Sequence, residues 1–191
     1  MPSNEYTAIK KALLDNATPE GLHAYKKFVP GSTQKAYGVR MPVLNELAAQ
    51  YKTGGFELVK ELWDKAAYEE KVLAAKILGK IAKQDPAKTL QFIEYFADAI
   101  EDWAVCDTIG MQSTKLIVKT HQKEIFALAT KFNTSKNFWK RRLSLVLVEW
   151  YTRDKSLHPL IKKLTKGVEN DEEYYVKKAV AWIEKNFAKG K

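Results

Sequence analysis

The spacing of the apolar residues is the feature that most restricts the fold of this chain. Apolar side chains recur every three or four residues almost throughout the sequence, and clear examples are residues 72–81 and 143–150. No stretch alternates convincingly between apolar and polar residues at the period of two that a half-buried strand shows. The sequence therefore predicts an all-α protein with about eleven helices joined by short connections.

Proline marks the beginning of three of these helices. Proline is favoured in the first turn because its missing N–H would have no partner inside the helix there, and a polar side chain just before it caps the turn. The three pairs that predict a helix start in this way are Thr18-Pro19, Asp85-Pro86 and His158-Pro159. No long linker or low-complexity segment divides the sequence, so we expect residues 1–191 to form a single domain.

Aromatic residues begin four of the predicted helices at an almost constant interval. The intervals are 35, 35 and 36 residues, and the four are Tyr68, Trp103, Phe138 and Tyr174. Each is followed by an apolar helical stretch, a break and a second amphipathic helix. Such pairs stack into α-solenoids, whose concave wall is a binding surface. The sequence thus predicts an α-α superhelix, a HEAT-like repeat solenoid. For Tyr68, Phe138 and Tyr174 we expect the aromatic ring to serve packing.

Basic residues are concentrated in the second half of the chain. The net charge is +9, from 32 Lys and Arg against 23 Asp and Glu. Residues 1–102 contain 14 basic and 14 acidic side chains, whereas residues 103–191 contain 18 and 9, so the whole excess lies in the later part. This asymmetry predicts a concave basic face and a polyanionic partner, with nucleic acid favoured over an anionic membrane surface. The alternative is that the charge serves solubility alone.

Several other classes of protein are disfavoured by the composition. Cys106 is the single cysteine, so no internal disulfide is possible and a reducing compartment is expected. The longest apolar run is too short to span a membrane, and the first 16 residues lack the apolar core of a signal peptide. The three histidines have no metal-like spacing, and no phosphate-binding glycine loop is present. We expect a soluble, cytoplasmic monomer without membrane contact, metal or cofactor.

The repeat register places chemically distinctive residues on equivalent faces of consecutive helices. A step of four residues from an aromatic start is one helical turn along the same face. From the last three starts this step gives Asp107, Arg142 and Lys178, and a further step gives Trp182. Together with Trp103, an acid, two bases and two indoles are predicted to converge on one surface. The alternative for Asp107 is a surface acid that pairs with Arg142.

Four segments in order resemble the DNA alkylation repair family, the AlkD-like HEAT-repeat DNA glycosylases. Residues 102–108, Asp-Trp-Ala-Val-Cys-Asp-Thr, resemble its Trp-x-x-x-Asp motif. Residues 137–142 are similar to its phosphate-binding Arg segment, and residues 173–182 to the segment that ends in its second functional Trp. Residues 37–42 are similar to its N-terminal signature. The resemblance covers roughly residues 20–188.

This resemblance implies hydrolysis of the N-glycosidic bond of cationic N3- or N7-alkylated purines in double-stranded DNA, the first step of base excision repair. Asp107 would be the catalytic carboxylate, with Trp103 and Trp182 flanking the deoxyribose of the lesion. Arg142 would bind a backbone phosphate. The residues expected to add to the field along the DNA are Lys178, Arg141, Lys140 and Arg153.

Two other functions remain open from the sequence. The first is a non-catalytic DNA-binding relative that recognises damaged or branched DNA, which would need the basic half of the chain but not Asp107. The second is a protein-interaction scaffold, because α-solenoids commonly bind peptides or proteins. A scaffold would need neither the set of Trp, Asp and Arg residues nor the basic half.

Overall fold

Eleven α-helices account for most of the computed structural model, which describes residues 2–189. Within this range no β-strand occurs, and the predicted all-α fold is confirmed. None of these helices combines the length with the apolar character that a bilayer crossing requires. The helices are α1 (Asn4–Asp15), α2 (Pro19–Phe28), α3 (Met41–Gln50), α4 (Gly55–Asp64), α5 (Tyr68–Ile81), α6 (Pro86–Ala97), α7 (Trp103–Thr108), α8 (Gln122–Asn133), α9 (Phe138–Leu147), α10 (His158–Gly167) and α11 (Tyr174–Ala188).

Two of the three helix starts follow the predicted capping signals, whereas α10 begins at His158 itself and has no side-chain cap. Helix α2 begins at Pro19, and the Thr18 hydroxyl accepts a hydrogen bond from the third residue of the helix. Helix α6 begins at Pro86, where the Asp85 carboxylate accepts from the N–H of Lys88. These caps satisfy N–H groups that have no partner inside the helix. Local sequence chemistry therefore fixes where both helices begin.

The helices form two layers of sequential neighbours. Helices α3, α5, α7, α9 and α11 pack side by side in one layer, and α6, α8 and α10 pack in the other. Helix α4 joins this second layer, since Trp63 stacks on Phe96 of α6 with ring centroids 4.0 Å apart. Buried apolar residues between the layers form one continuous core from Tyr6 to Ile183. The predicted stacking of helix pairs is therefore present, and the fold is a helical-repeat one.

The helix that begins at Trp103 is shorter than the apolar pattern predicts. Helix α7 ends at Thr108, and the chain continues as a wider π-helical turn over Ile109–Ser113. This turn packs backbone to backbone on α5, because a Cβ placed on Gly79 would lie 2.1 Å from the carbonyl oxygen of Gln112. Wider turns of this kind are frequent at functional sites. Here the turn brings Gln112 directly onto α5.

A loop held by one buried carboxylate fixes α2 against α5. The Glu69 side chain accepts hydrogen bonds from the N–H groups of Tyr37, Gly38 and Val39 at 2.9, 2.7 and 3.1 Å. In turn the carbonyl oxygen of Gly38 accepts from the N–H of Thr18 at the start of α2. Buried polar groups of this kind are costly unless fully paired. Residues 37–42, similar to the family signature, thus have a structural role in positioning α2.

Alanine at Gly38 is expected to destabilise the protein by about 3 kcal/mol or more, since two penalties add there. The backbone has φ +82°, and a Cβ would lie 2.4 Å from the nitrogen of Leu22 and 2.5 Å from the oxygen of Thr18. Gly31 is the matched control, because its φ is +81° but nothing lies within 4 Å of its Cβ position. Gly31→Ala should cost only about 1 kcal/mol. Urea unfolding measures both, and equal losses would contradict the close approach at Gly38.

Candidate active site

Asp107 and Arg142 form a two-point ion pair between α7 and α9. The Arg142 Nε donates to one carboxylate oxygen of Asp107 at 3.0 Å and Nη2 donates to the other at 2.9 Å. The remaining Nη1 donates to the carbonyl oxygen of Tyr175 on α11 at 2.6 Å. This arrangement joins three consecutive helices of one layer. It also fixes the plane of the carboxylate, because a guanidinium binds a carboxylate in a fork geometry.

Burial distinguishes this pair from an exposed surface ion pair. The side chains of Arg142 and Asp107 are 6% and 23% exposed. Burial raises the pKa of Asp107 to about 6, although the adjacent guanidinium opposes the shift. At neutral pH the carboxylate is therefore ionised and held by a permanently charged partner. The alternative prediction, a surface acid that pairs with Arg142, is confirmed for the pairing. It is wrong for the surface position, because the Asp107 side chain is mostly buried.

Asp107 lowers the stability of the native state as the pH rises. Its native pKa of about 6 lies above the unfolded value of about 3.9. Between these values the native state binds more protons than the unfolded state, so the contribution of this group to stability falls from about pH 4 to pH 6. Above pH 6 the cost is fully present. The chain thus retains an ionised carboxylate at a position where it does not favour folding.

A pocket of about 580 Å³ opens beside Asp107. Its walls come from α2, α5 and α7, and the Glu69-bound loop holds α2 against α5. Tyr25 and Tyr68 meet in this wall with ring centroids 4.4 Å apart, and Trp103 donates its indole N–H to the carbonyl oxygen of Phe28 at 2.9 Å. The indole plane is thereby fixed to the end of α2. Four aromatic residues thus contribute to the lining of the pocket.

The charged residues of the pocket are one acid and two bases. Asp107 is the single carboxylate among the described residues that line it, and the cations are Arg40 and Lys76. The pocket therefore combines one carboxylate, electron-rich rings and a positive rim. Such an arrangement can stabilise a positive charge that develops next to the carboxylate while attracting a polyanion.

Comparison with known proteins identifies the family. The sequence model of the family described as DNA alkylation repair enzyme matches residues 9–191. The chain belongs to the DNA alkylation repair enzyme family. A solved structure described as a predicted DNA alkylation repair enzyme from Enterococcus faecalis superposes with a TM-score of 0.75 at 20% identity, covering 92% of this chain and 84% of that chain. No curated protein matches this sequence.

Trp182, the second indole of the predicted site, is not among the residues that line the pocket of this DNA alkylation repair family member. It lies on α11, is half-buried and packs against the core. Lys178, one turn earlier, is exposed and holds its ammonium 5.3 Å from the ring centroid of Tyr174. The structure thus brings together Trp103, Asp107 and Arg142 but not these two. A role for Trp182 or Lys178 in DNA binding or catalysis stays a prediction.

Three further predicted DNA contacts are paired with acids within the protein. Lys140 lies 2.5 Å from Asp98. Arg153 pairs with Glu149 at 3.3 Å. Arg141 binds both oxygens of Asp171, at 2.5 and 3.2 Å, and donates to two backbone carbonyls. These contacts place Arg141 in a structural tie between α9 and the turn before α11. Contact of these three residues with DNA stays a prediction, as does phosphate binding by Arg142.

One of the aromatic helix starts differs from the packing role expected of it. Tyr174 is 61% exposed, so its ring contributes little to the core and the expectation was wrong. Tyr68 is half-buried against the core as expected, and it also forms part of the pocket wall against Tyr25. Phe138 is half-buried against the core as expected. Helix α2 supplies wall residues that the sequence analysis missed, because nothing in its own pattern reveals that it docks on α5.

Arg142→Gln is expected to raise the pKa of Asp107 further above 6. The guanidinium favours the ionised carboxylate, and its removal leaves burial as the dominant cause of the shift. The measurement is a pH titration of the aspartate carboxyl carbons by NMR, with Asp107→Asn to assign the signal. Arg153→Gln is the matched control, because it removes a cation that pairs with Glu149 instead. An unchanged or lower midpoint in Arg142→Gln would show that the pair does not hold the carboxylate ionised.

Proposed function

We propose that this chain is a monofunctional DNA glycosylase, which hydrolyses the N-glycosidic bond of N3- or N7-alkylated purines in duplex DNA. The observation that carries the proposal is a single carboxylate, Asp107, fixed by Arg142 at an aromatic pocket with a basic rim. Membership of the DNA alkylation repair family supports DNA as the substrate. The proposal includes a monomer that acts in the cytoplasm.

One carboxylate is sufficient for this reaction. Ordinary glycosidases use two, since one must protonate the leaving group. An N3- or N7-alkylated purine already carries a positive charge, so the bond between C1′ and the base nitrogen breaks with its electron pair moving to the base, which leaves neutral. Water then adds its oxygen to C1′ and loses a proton to Asp107 or to solvent. The pocket, with one carboxylate in the described part of its lining, matches this requirement.

The aromatic walls support the same charge distribution. The transition state places positive charge on the deoxyribose, which the face of an aromatic ring attracts. Trp103 is held by its bond to Phe28, and the rings of Tyr25 and Tyr68 lie in the same wall. These rings also limit the water that reaches Asp107, which strengthens the attraction between carboxylate and sugar.

Arg142 acts in this proposal as a positioning residue. Its three donor contacts are satisfied by Asp107 and by the carbonyl oxygen of Tyr175. The guanidinium keeps the carboxylate ionised at neutral pH and fixes its orientation toward the pocket. A carboxylate held in this way needs no reorganisation when positive charge develops on the sugar.

Release of 7-methylguanine and 3-methyladenine from methylated duplex DNA tests the proposal. The wild-type protein should release both bases, and Asp107→Asn should release them at least about 100-fold more slowly, because the stabilising charge is lost. Asp15→Asn, which removes an exposed carboxylate at the end of α1, is the matched control and should act like wild type. Affinity for unmethylated duplex and the thermal midpoint, measured in parallel, show whether each variant folds and binds.

The other outcomes separate the alternative functions. Salt-sensitive duplex binding without base release would replace the glycosylase with a non-catalytic DNA-binding relative. Neither release nor binding would leave the protein-interaction scaffold. Equal loss of release and of binding in Asp107→Asn would remove the catalytic role from this residue.

The rate of base release is expected to rise with pH between about 5 and 7 and to be flat above, because only ionised Asp107 stabilises the sugar cation and its pKa is about 6. Single-turnover release at saturating enzyme measures this profile without a contribution from DNA affinity. The residual release by Asp107→Asn should lack the step. A wild-type rate that does not change across this range would contradict the assignment.

A further inference from the structure

A second cleft, which contains four lysines, lies next to the aromatic pocket. Its volume is about 300 Å³. We call it the lysine cleft and define it by Lys52, Lys76, Lys80 and Lys115, with Asn45 and Gln112 among the other lining residues. None of its described lining residues is acidic. The site that the sequence analysis predicts from the aromatic repeat does not include any of these lysines.

Three separate segments bring the lysines together. Lys76 and Lys80 lie one turn apart on α5, and Lys52 begins the short helical turn after α3. Lys115 follows the π-helical turn, which the close contact of Gly79 with Gln112 fixes against α5. The cleft is therefore set by backbone packing rather than by flexible side chains alone.

The positive charge of the cleft is not neutralised within the described part of the protein. None of the four lysines forms an ion pair within residues 2–189. Lys76 donates to the side-chain oxygen of Asn45 at 2.7 Å, a neutral acceptor. Burial and the neighbouring Lys80 both lower the pKa of Lys76. Cations that crowd together without an anionic partner attract an anion from solution.

The lysine cleft shares two lining residues with the candidate active site. Lys76 and Gln112 line both the cleft and the pocket that contains Asp107. A bound anion would thus lie at the edge of the pocket. In nucleic acids the anionic groups adjacent to a sugar are its own phosphates, which basic side chains bind to position the strand.

We propose that the lysine cleft binds a backbone phosphate of duplex DNA next to the nucleotide whose sugar enters the aromatic pocket. This inference rests on the proposed function, since it takes the occupant of the pocket to be a nucleotide in DNA. The phosphate ties the strand at one fixed distance from Asp107. Lys76, shared by the two cavities, is the link between strand binding and the site of base release.

The test compares two triple variants that each remove three exposed lysines. The cleft variant is Lys52→Gln/Lys80→Gln/Lys115→Gln, and the matched control is Lys123→Gln/Lys162→Gln/Lys163→Gln on α8 and α10. Affinity for a short unmethylated duplex is measured by fluorescence anisotropy at several concentrations of potassium chloride. Both variants have the same net charge, so a difference between them reports the location of the charge.

The cleft variant should lose one or two phosphate contacts. The slope of log affinity against log salt should decrease in magnitude by about 0.9 to 1.8, and the affinity at 0.1 M salt should fall by about 10- to 60-fold. The control variant should change the slope by less than half as much. Equal changes in both variants would overturn the proposal, because the effect would then come from the general field. A wild-type protein that does not bind duplex would overturn it as well.

Two further measurements are needed. One distinguishes free phosphate from a DNA phosphate as the bound anion, and the other tests the proposed reaction independently of the lysine cleft. If sodium phosphate at constant ionic strength raises the thermal midpoint of wild type but not of the cleft variant, while their duplex slopes agree, the cleft binds free phosphate and the proposal is wrong. Base release by the wild-type protein is followed in a separate assay at saturating enzyme. If the wild-type protein binds duplex but releases no base, the glycosylase proposal is rejected. The comparison of salt slopes between the two triple variants then remains valid as a test of the lysine cleft.

Discussion

The two-point ion pair of Asp107 with Arg142 is the interaction on which the candidate site depends. It connects α7 to α9 and, through the carbonyl oxygen of Tyr175, to α11. A buried ion pair is a poor source of stability, because the loss of hydration offsets most of the attraction. The pKa of Asp107, about 6, indicates that burial outweighs the attraction for this carboxylate. Two apolar residues in place of this ion pair would favour the stability of the fold. The property that the ion pair provides is therefore the fixed orientation of the Asp107 carboxylate.

The wall of the pocket depends on a second buried carboxylate, which acts on the backbone. Glu69 receives three N–H groups of the loop before α3 and so holds α2 over α5 and α7. This docking supports the contacts of α2 that line the pocket, namely Tyr25 on Tyr68 and the carbonyl oxygen of Phe28 on Trp103. The two carboxylates thus have different tasks. Glu69 builds the enclosure through hydrogen bonds to neutral donors, and Asp107 supplies the charge inside it.

The sequence predicts the layers well because the determinants are local. Apolar spacing, proline starts and the 35-residue aromatic interval all act within one repeat, and the register of four residues correctly brings Asp107 next to Arg142. For Trp182 the same register stays a prediction, since this indole packs against the core and is not among the residues that line the pocket. The pocket wall was hidden from sequence reasoning, because α2 lies outside the repeat pattern. The count of charges also failed to predict the lysine cleft. Residues 1–102 are neutral overall, yet three lysines of this part line the cleft without acidic partners, namely Lys52, Lys76 and Lys80.

In the proposed reaction, the distribution of charge resolves a conflict between a catalytic carboxylate and a DNA substrate. An isolated carboxylate would repel the phosphates on either side of the sugar that it must approach. Arg142 cancels this charge at long range, because the pair is neutral as a unit, whereas a cation that forms on the pocket side of Asp107 is nearer to the carboxylate than to the guanidinium in this proposal. The lysine cleft then supplies attraction for the strand at a separate place. In the proposed reaction, strand binding and cation stabilisation therefore use opposite charges in adjacent cavities, and Lys76 is the residue common to both.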